Sequence, residues 1–181
     1  TLPEDMDPKG AATPTPTPPA TNSTPPPITS PVSVNFNSRI EINKPGKYVL
    51  DQDIISPDGK SCIKIHDTAN VEVDCSNHSI SADIGQYAIS INKVKDFTIT
   101  SCVFKNKTID PPQDAWSHVL LVSDSQNGTI TKNMFSASTF GSISNSSLIK
   151  VINNNMYSQL LISSSKETLV QNNNFVFTLH F

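Results

Sequence analysis

Two carboxylates with an amine between them are the residues best placed to do chemistry in this chain. Asp67, Lys93 and Asp124 each stand two positions after an apolar β-former, namely Ile65, Ile91 and Val122. Asn145 and Ser164 continue the series after Ile143 and Ile162. If those anchors stack, the series forms one column, with Asp67 and Asp124 two layers apart, about 10 Å at the usual strand spacing. Carboxylate pairs about 5 to 9.5 Å apart hydrolyse glycosides. The column is therefore a candidate polysaccharide-cleaving site, Asp67 and Asp124 with Lys93 between them. The plainer expectation is a solvated turn column carrying one mixed-charge ladder.

A second group, Tyr87, Asp114, Trp116 and His118, borders an inserted loop at 108–115 that contains Pro111 and Pro112. An exposed ring beside polar groups is a common way to grip a sugar, so these four are candidate glycan-binding residues. The simpler alternative is an aromatic covering the side of the fold. His66, His78, His118 and His180 are scattered without the spacing of zinc ligands. Met6, Met134 and Met156 do not assemble a methionine-rich copper site. No metal or other cofactor is expected, and calcium enters only if the chain is a lyase.

Charge narrows the partners. The chain has 181 residues, a net charge of -3 and 16% charged residues, with no basic footprint for nucleic acid. Arg39 is its single arginine, which argues against arginine forks for phosphates or uronates. The longest clean apolar run, Val119 to Val122, is far too short to span a membrane. Asn22, Asn77, Asn106, Asn127 and Asn145 begin Asn-x-Ser/Thr sequences and are candidate glycosylation sites, although a chain this rich in Asn, Ser and Thr generates several by chance. Cys62, Cys75 and Cys102 show no metal spacing. They read first as buried small apolar residues, with one disulfide, Cys75 to Cys102 or Cys62 to Cys75, as the alternative.

These residues must be positioned by short strands. Residues 1–31 are dominated by Pro, Thr, Ser and Ala and should form an extended stalk or linker, since proline removes backbone donors and fixes φ. The folded domain is expected over 32–181. From Cys62 on, short β-rich runs come in twos. Ile63–Ile65 goes with Val71–Val73, Tyr87–Ile91 with Phe97–Ile99, Val119–Val122 with Thr129–Ile130, Ser142–Ser144 with Ile149–Ile152, and Leu160–Ile162 with Leu169–Val170. The first-run anchors step by 26 (Ile65 to Ile91), 31 (to Val122), 21 (to Ile143) and 19 (to Ile162). No segment has helical periodicity. Strands at this period suit a solenoid, in which each coil is too small to bury its own apolar face and stacks on the one before.

A phrase recurs in the second half of each unit: apolar residue, Asn three later, aromatic two after that. Ile130, Asn133 and Phe135 match Ile152, Asn155 and Tyr157, then Val170, Asn173 and Phe175, with shifts of 22 and 18. The expected ladders are Asn133, Asn155 and Asn173, with Cys102 in register, and Phe104, Phe135, Tyr157 and Phe175. Asn suits such a column because it tolerates left-handed turns and its amide both donates and accepts.

Phe97-Thr98-Ile99-Thr100-Ser101-Cys102-Val103-Phe104 and Ile152-Asn153-Asn154-Asn155-Met156 resemble the right-handed parallel β-helix repeats of the NosD-like and pectate-lyase-like superfamily. Ile42 to Leu50 is similar to the amino-terminal cap of such proteins, including archaeal surface proteins, and Val71 to Ile80 to their first coil. The resemblance covers about residues 38–177. It implies an all-β right-handed parallel β-helix of about five to six coils. It says little about activity, since the fold hosts lyases, hydrolases, adhesins and structural proteins. The polygalacturonase-type motifs (Asn-x-Asp, Asp-Asp, Gly-His-Gly) are missing from this chain.

The apolar run 174–181 carries no polar cap, so the expectation is either a truncated chain or an end covered by a partner, such as another copy stacked on it. The chain begins at Thr1 with no visible signal peptide, as a processed, exported chain or a trimmed one would. The favoured expectation is an exported, extracellular or cell-surface structural protein that associates through its ends. A polysaccharide lyase, hydrolase or glycan-binding module is the alternative.

Overall fold

The computed structural model describes residues 32–33, 39–56, 61–83, 85–107, 117–136, 139–157 and 159–175. The stalk at 1–31, Asn22, Asp114, Trp116, His180 and the run 176–181 lie outside them.

Among the described residues there is no helix. The strands are β1 (Val32–Ser33), β2 (Ile40–Ile42), β3 (Gly46–Val49), β4 (Ile54–Ile55), β5 (Ile63–Asp74), β6 (Ser79–Ala82), β7 (Ile89–Thr100), β8 (Val103–Asn106) and β9 (Ser117–Ser123). They continue as β10 (Gln126–Thr131), β11 (Met134–Phe135), β12 (Thr139–Ser144), β13 (Lys150–Ile152), β14 (Asn155–Met156), β15 (Gln159–Ser163), β16 (Leu169–Gln171) and β17 (Asn174–Phe175). Every pairing between them is parallel. An eleven-stranded sheet holds the first and second strands of each repeat, and a six-stranded sheet runs β17-β14-β11-β8-β6-β4.

Each repeat thus lays down one row of three segments, not two. The first segments align Ile42, Ile65, Ile91, Val122, Ile143 and Ile162. The second align Tyr48, Val73, Ile99, Ile130, Val151 and Val170. The third align Ile54, Ile80, Phe104, Phe135, Met156 and Phe175. In β5 and β7 the first two segments are one twelve-residue strand bent in the middle; in later rows they separate. Apolar residues alternate with polar ones, as strand geometry requires. Ile65, Ile91, Val122, Ile143, Val73, Ile99, Ile80, Phe104, Phe135 and Met156 are fully buried.

The bends follow from backbone conformation. Asp67, Lys93, Asp124, Asn145 and Ser164 all have left-handed φ between 47° and 54°. Three residues on, Asn70, Asp96, Asn127, Leu148 and Glu167 do so again, at 53° to 57°. Ser101, Lys132, Asn153 and Asn172 make a third such column before the third segment. Short polar side chains dominate these positions because they bear the left-handed conformation at least cost.

The internal asparagine column differs from the sequence expectation by one residue. Asn154, not Asn155, stands between Asn133 and Asn173. Asn133 N–H and Nδ2 donate to Asn154 Oδ1 (2.9 and 3.1 Å), and Asn154 N–H and Nδ2 donate to Asn173 Oδ1 (both 2.9 Å). Asn133 Oδ1 accepts from Cys102 N–H at 2.9 Å. The same shift replaces Tyr157 with Met156 in the apolar column, leaving Tyr157 exposed. Register is the physical reason. Val151, not Ile152, is the partner of Ile130, and the left-handed corner at Asn153 interrupts the alternation, so the inward positions three and five residues later are Asn154 and Met156. The true row spacings are 21 (Ile130 to Val151) and 19 (Val151 to Val170), equal to those of the first segments.

Candidate functional site

The corner between first and second segments gathers the residues singled out for chemistry. Asp67, Lys93 and Asp124 do form a column: Ile65, Ile91 and Val122 are in register and each of the three bends the chain two residues later. All three are exposed. Asp67 Oδ2 lies 3.0 Å from Nδ1 of His66, whose N–H donates to it. Asp124 Oδ2 accepts from Asn92 Nδ2 at 3.3 Å, and the same amide donates to Ser123 Oγ at 2.8 Å. Asp67 and Asp124 are thus separated by the row of Lys93, about 10 Å at ordinary strand spacing, and each is engaged by a neighbour in its own way.

Electrostatics at Asp67 do not suit that carboxyl to a general-acid role. The hydrogen bond from His66 holds the Asp67 carboxyl below the usual carboxylate range, and Lys93 adds to the effect. A general acid near neutral pH needs the opposite shift. Along the next corner column Asn127 Nδ2 donates to Asp96 Oδ1. On the outer face of the second segments Lys47 Nζ bonds Glu72 Oε1 at 2.8 Å and lies 3.9 Å from Asp74 Oδ2. Lys47 thus meets the carboxylates of the adjacent row across the sheet.

Of the glycan-binding group, Tyr87 and His118 meet edge to face, with ring centroids 5.6 Å apart and planes at 87°. Burial lowers the His118 imidazole from its ordinary value, so it is neutral near pH 7 and offers a ring, not a charge. Asp114 and Trp116 are outside the described residues. Among the sequons, Asn77, Asn127 and Asn145 are exposed on left-handed corners. Asn106 is half-buried at the end of β8.

The cysteines divide. Cys75 and Cys102, adjacent in the column that continues as Asn133, Asn154 and Asn173, are joined by a disulfide. Cys62 is a buried free thiol, pushed up to about 12 by burial, with Asp83 adding to it. Thiolates are the reactive form, so Cys62 is inert. Among the described residues no group of three or more His, Cys, Asp or Glu could hold a metal ion. No helix among them is long and apolar enough to cross a membrane.

One internal feature was absent from the sequence expectations. Ser125, Ser146 and Ser165 form a second ladder beside the first. Their hydroxyls donate two residues back, to Ser123 O (2.7 Å), Ser144 O (2.7 Å) and Ser163 O (3.0 Å). They accept from the preceding row, from Val94 N–H (3.1 Å), Ser125 N–H (3.2 Å) and Ser146 N–H (3.2 Å). The legible signal was Ser-x-Ser recurring at 123–125, 144–146 and 163–165.

Compared with known proteins, the chain matches no family model, no curated protein and no solved structure.

Proposed function

We propose that this chain is a right-handed parallel β-helix of about five to six coils, of the NosD-like and pectate-lyase-like kind, and an exported structural protein. In this reading it works at the cell surface or outside the cell without catalysis and associates with copies of itself through its ends. One observation carries the reading: the polar groups are engaged in ladders that tie row to row. The inward ones, Asn133, Asn154, Asn173, Ser125, Ser146 and Ser165, satisfy backbone groups of neighbouring rows. The outward ones, Asp67 and Asp124, stand apart instead of converging on a shared cleft. Such an arrangement supports a scaffold better than an enzyme. The Cys75–Cys102 disulfide favours an oxidising compartment, since disulfides persist outside the cytosol.

The Tyr87–His118 ring pair favours a second reading, a glycan-binding module or polysaccharide-cleaving enzyme of the same fold. Incubation of the full chain with acidic polysaccharides, with and without calcium, separates the two. The structural reading expects no cleavage. Turnover abolished by Asp67→Ala or Asp124→Ala would establish the enzyme and remove the structural reading.

A further inference from the structure

Four of the five Asn-x-Ser/Thr sequences fall within the described residues, and the fold sorts them. Asn106 Nδ2, at the end of β8, is shut off from solvent. Asn77 is exposed, but Ser79, the hydroxyl residue of its sequence, is buried, and the Ser79 N–H donates to Asp53 Oδ1 at 2.7 Å. Of the four, only Asn127 and Asn145 bring both parts to the surface: the asparagines are exposed, and Thr129 and Ser147 are only half-buried. Both asparagines stand on left-handed corners, with φ of 54° and 47°. Their backbone N–H groups donate to the next row, to Ser147 O at 3.0 Å and Ser163 O at 3.2 Å. The corners are thereby fixed while the side chains stay outside. Asn127 Nδ2 also donates to Asp96 Oδ1; a primary amide has two N–H donors, so one remains.

We infer that Asn127 and Asn145 are attachment sites for N-linked sugar chains. This inference rests on the exported reading above, because such sugars are added to chains that leave the cytosol. The donor is an oligosaccharide held through its anomeric carbon by a lipid diphosphate. Asparagine Nδ2 gives up one proton and bonds to that carbon, the carbon–oxygen bond breaks, and the diphosphate leaves with the electron pair. The nitrogen keeps one hydrogen, which at Asn127 preserves the bond to Asp96. Asn145 follows Asp124 in the same corner column, since Val122 and Ile143 are in register, about 4.8 Å away at ordinary strand spacing. A sugar chain there covers the Asp124 carboxyl and keeps other protein surfaces off this corner, in line with association through the ends. The internal serine ladder is untouched, because Ser146 is buried and bonded to Ser144 O.

Peptide mass mapping of the full chain, recovered separately from inside and outside the cells that make it, tests the inference. In the exterior fraction the peptides holding Asn127 and Asn145 should each carry the mass of a sugar chain, and the peptide holding Asn106 should be bare. Thr129→Val should remove the sugar from Asn127 and Ser147→Ala should remove it from Asn145, each with the other site still occupied. An exterior chain bare at both asparagines would overturn the inference and leave export standing. A chain recovered only from inside the cells would overturn export and this inference together. A sugar on Asn106 would overturn the sorting by exposure. Sugars that survive Thr129→Val and Ser147→Ala would overturn the N-linkage.

Discussion

Leu148 is the residue least suited to its place. Its φ is 57°, in a column otherwise filled by Asn70, Asp96, Asn127 and Glu167, and its side chain is 40% exposed. A left-handed residue with a Cβ costs roughly 1 kcal/mol, and asparagine recovers much of it through local hydrogen bonding. Leu148→Asn should therefore raise stability by about 0.5–1 kcal/mol in urea unfolding, with no change in denaturant slope. The asparagine column gives a sharper contrast. Asn154→Ala removes the acceptor of Asn133 N–H and the donor to Ile130 O, all in the buried interior. Leaving such groups unpaired costs about 1–3 kcal/mol, whereas Asn155→Ala, at an exposed position, should stay within about 0.5 kcal/mol. Equal losses at the two sites would show that the ladder runs through the wrong residue. That distinction was partly legible beforehand. The first-segment anchors step by 21 and 19, and rigid rows demand the same step in the second segments, which picks Val151 and hence Asn154. Two adjacent β-branched residues and three consecutive asparagines hide that register from composition alone.

At the scale of elements, the packing between β7 and β10 depends on one glycine. Gly128 pairs with Phe97, and a Cβ built there would lie 2.1 Å from the Phe97 ring. Phe97 is buried, so it cannot swing clear into solvent. Gly128→Ala should destabilise the fold by about 2 kcal/mol or more through overpacking. The double variant Gly128→Ala, Phe97→Leu should lose less than the sum of the single losses, because the smaller side chain makes the room that alanine needs. Additive losses in that cycle would mean the strain lies elsewhere. Elements of four or more residues with alternating burial, such as β5 and β7, were readable from their apolar anchors, and so was the corner column of Asp67, Lys93 and Asp124. The third segments were not, since β11, β14 and β17 are two residues long and carry no alternation. Nor could the sequence show that His66 and Asn92 engage the two candidate carboxylates, because those contacts depend on which side chains face outward together.

For the whole molecule, rows that contact only their neighbours should unfold in a graded order set by the ends. The disulfide ties the row of β5 to the row of β7 across a sequence separation of 27. Closing a loop of that size stabilises by about 3.5 kcal/mol in the chain-entropy account. No disulfide joins the rows of β12 and β13 to those of β15 and β16, and the inward side chains of the last row are partly exposed. Amide exchange of the oxidised monomer should therefore be slowest in β5 and β7 and fastest in β15, β16 and β17, with β10 and β13 between them. Reduction should act mostly on the protected end. Cys75 and Cys102 are buried, so the bond resists reductant until that region opens. Once it is cut, stability should fall by about 3.5 kcal/mol and the exchange rates of β5 and β7 should rise toward those of the later strands, while β16 changes little. Uniform exchange along the chain would mean that the rows unfold as a single cooperative unit. Faster exchange in β16 on reduction would mean that the asparagine ladder, which receives the Cys102 N–H at Asn133, transmits the loss of the disulfide to the far edge.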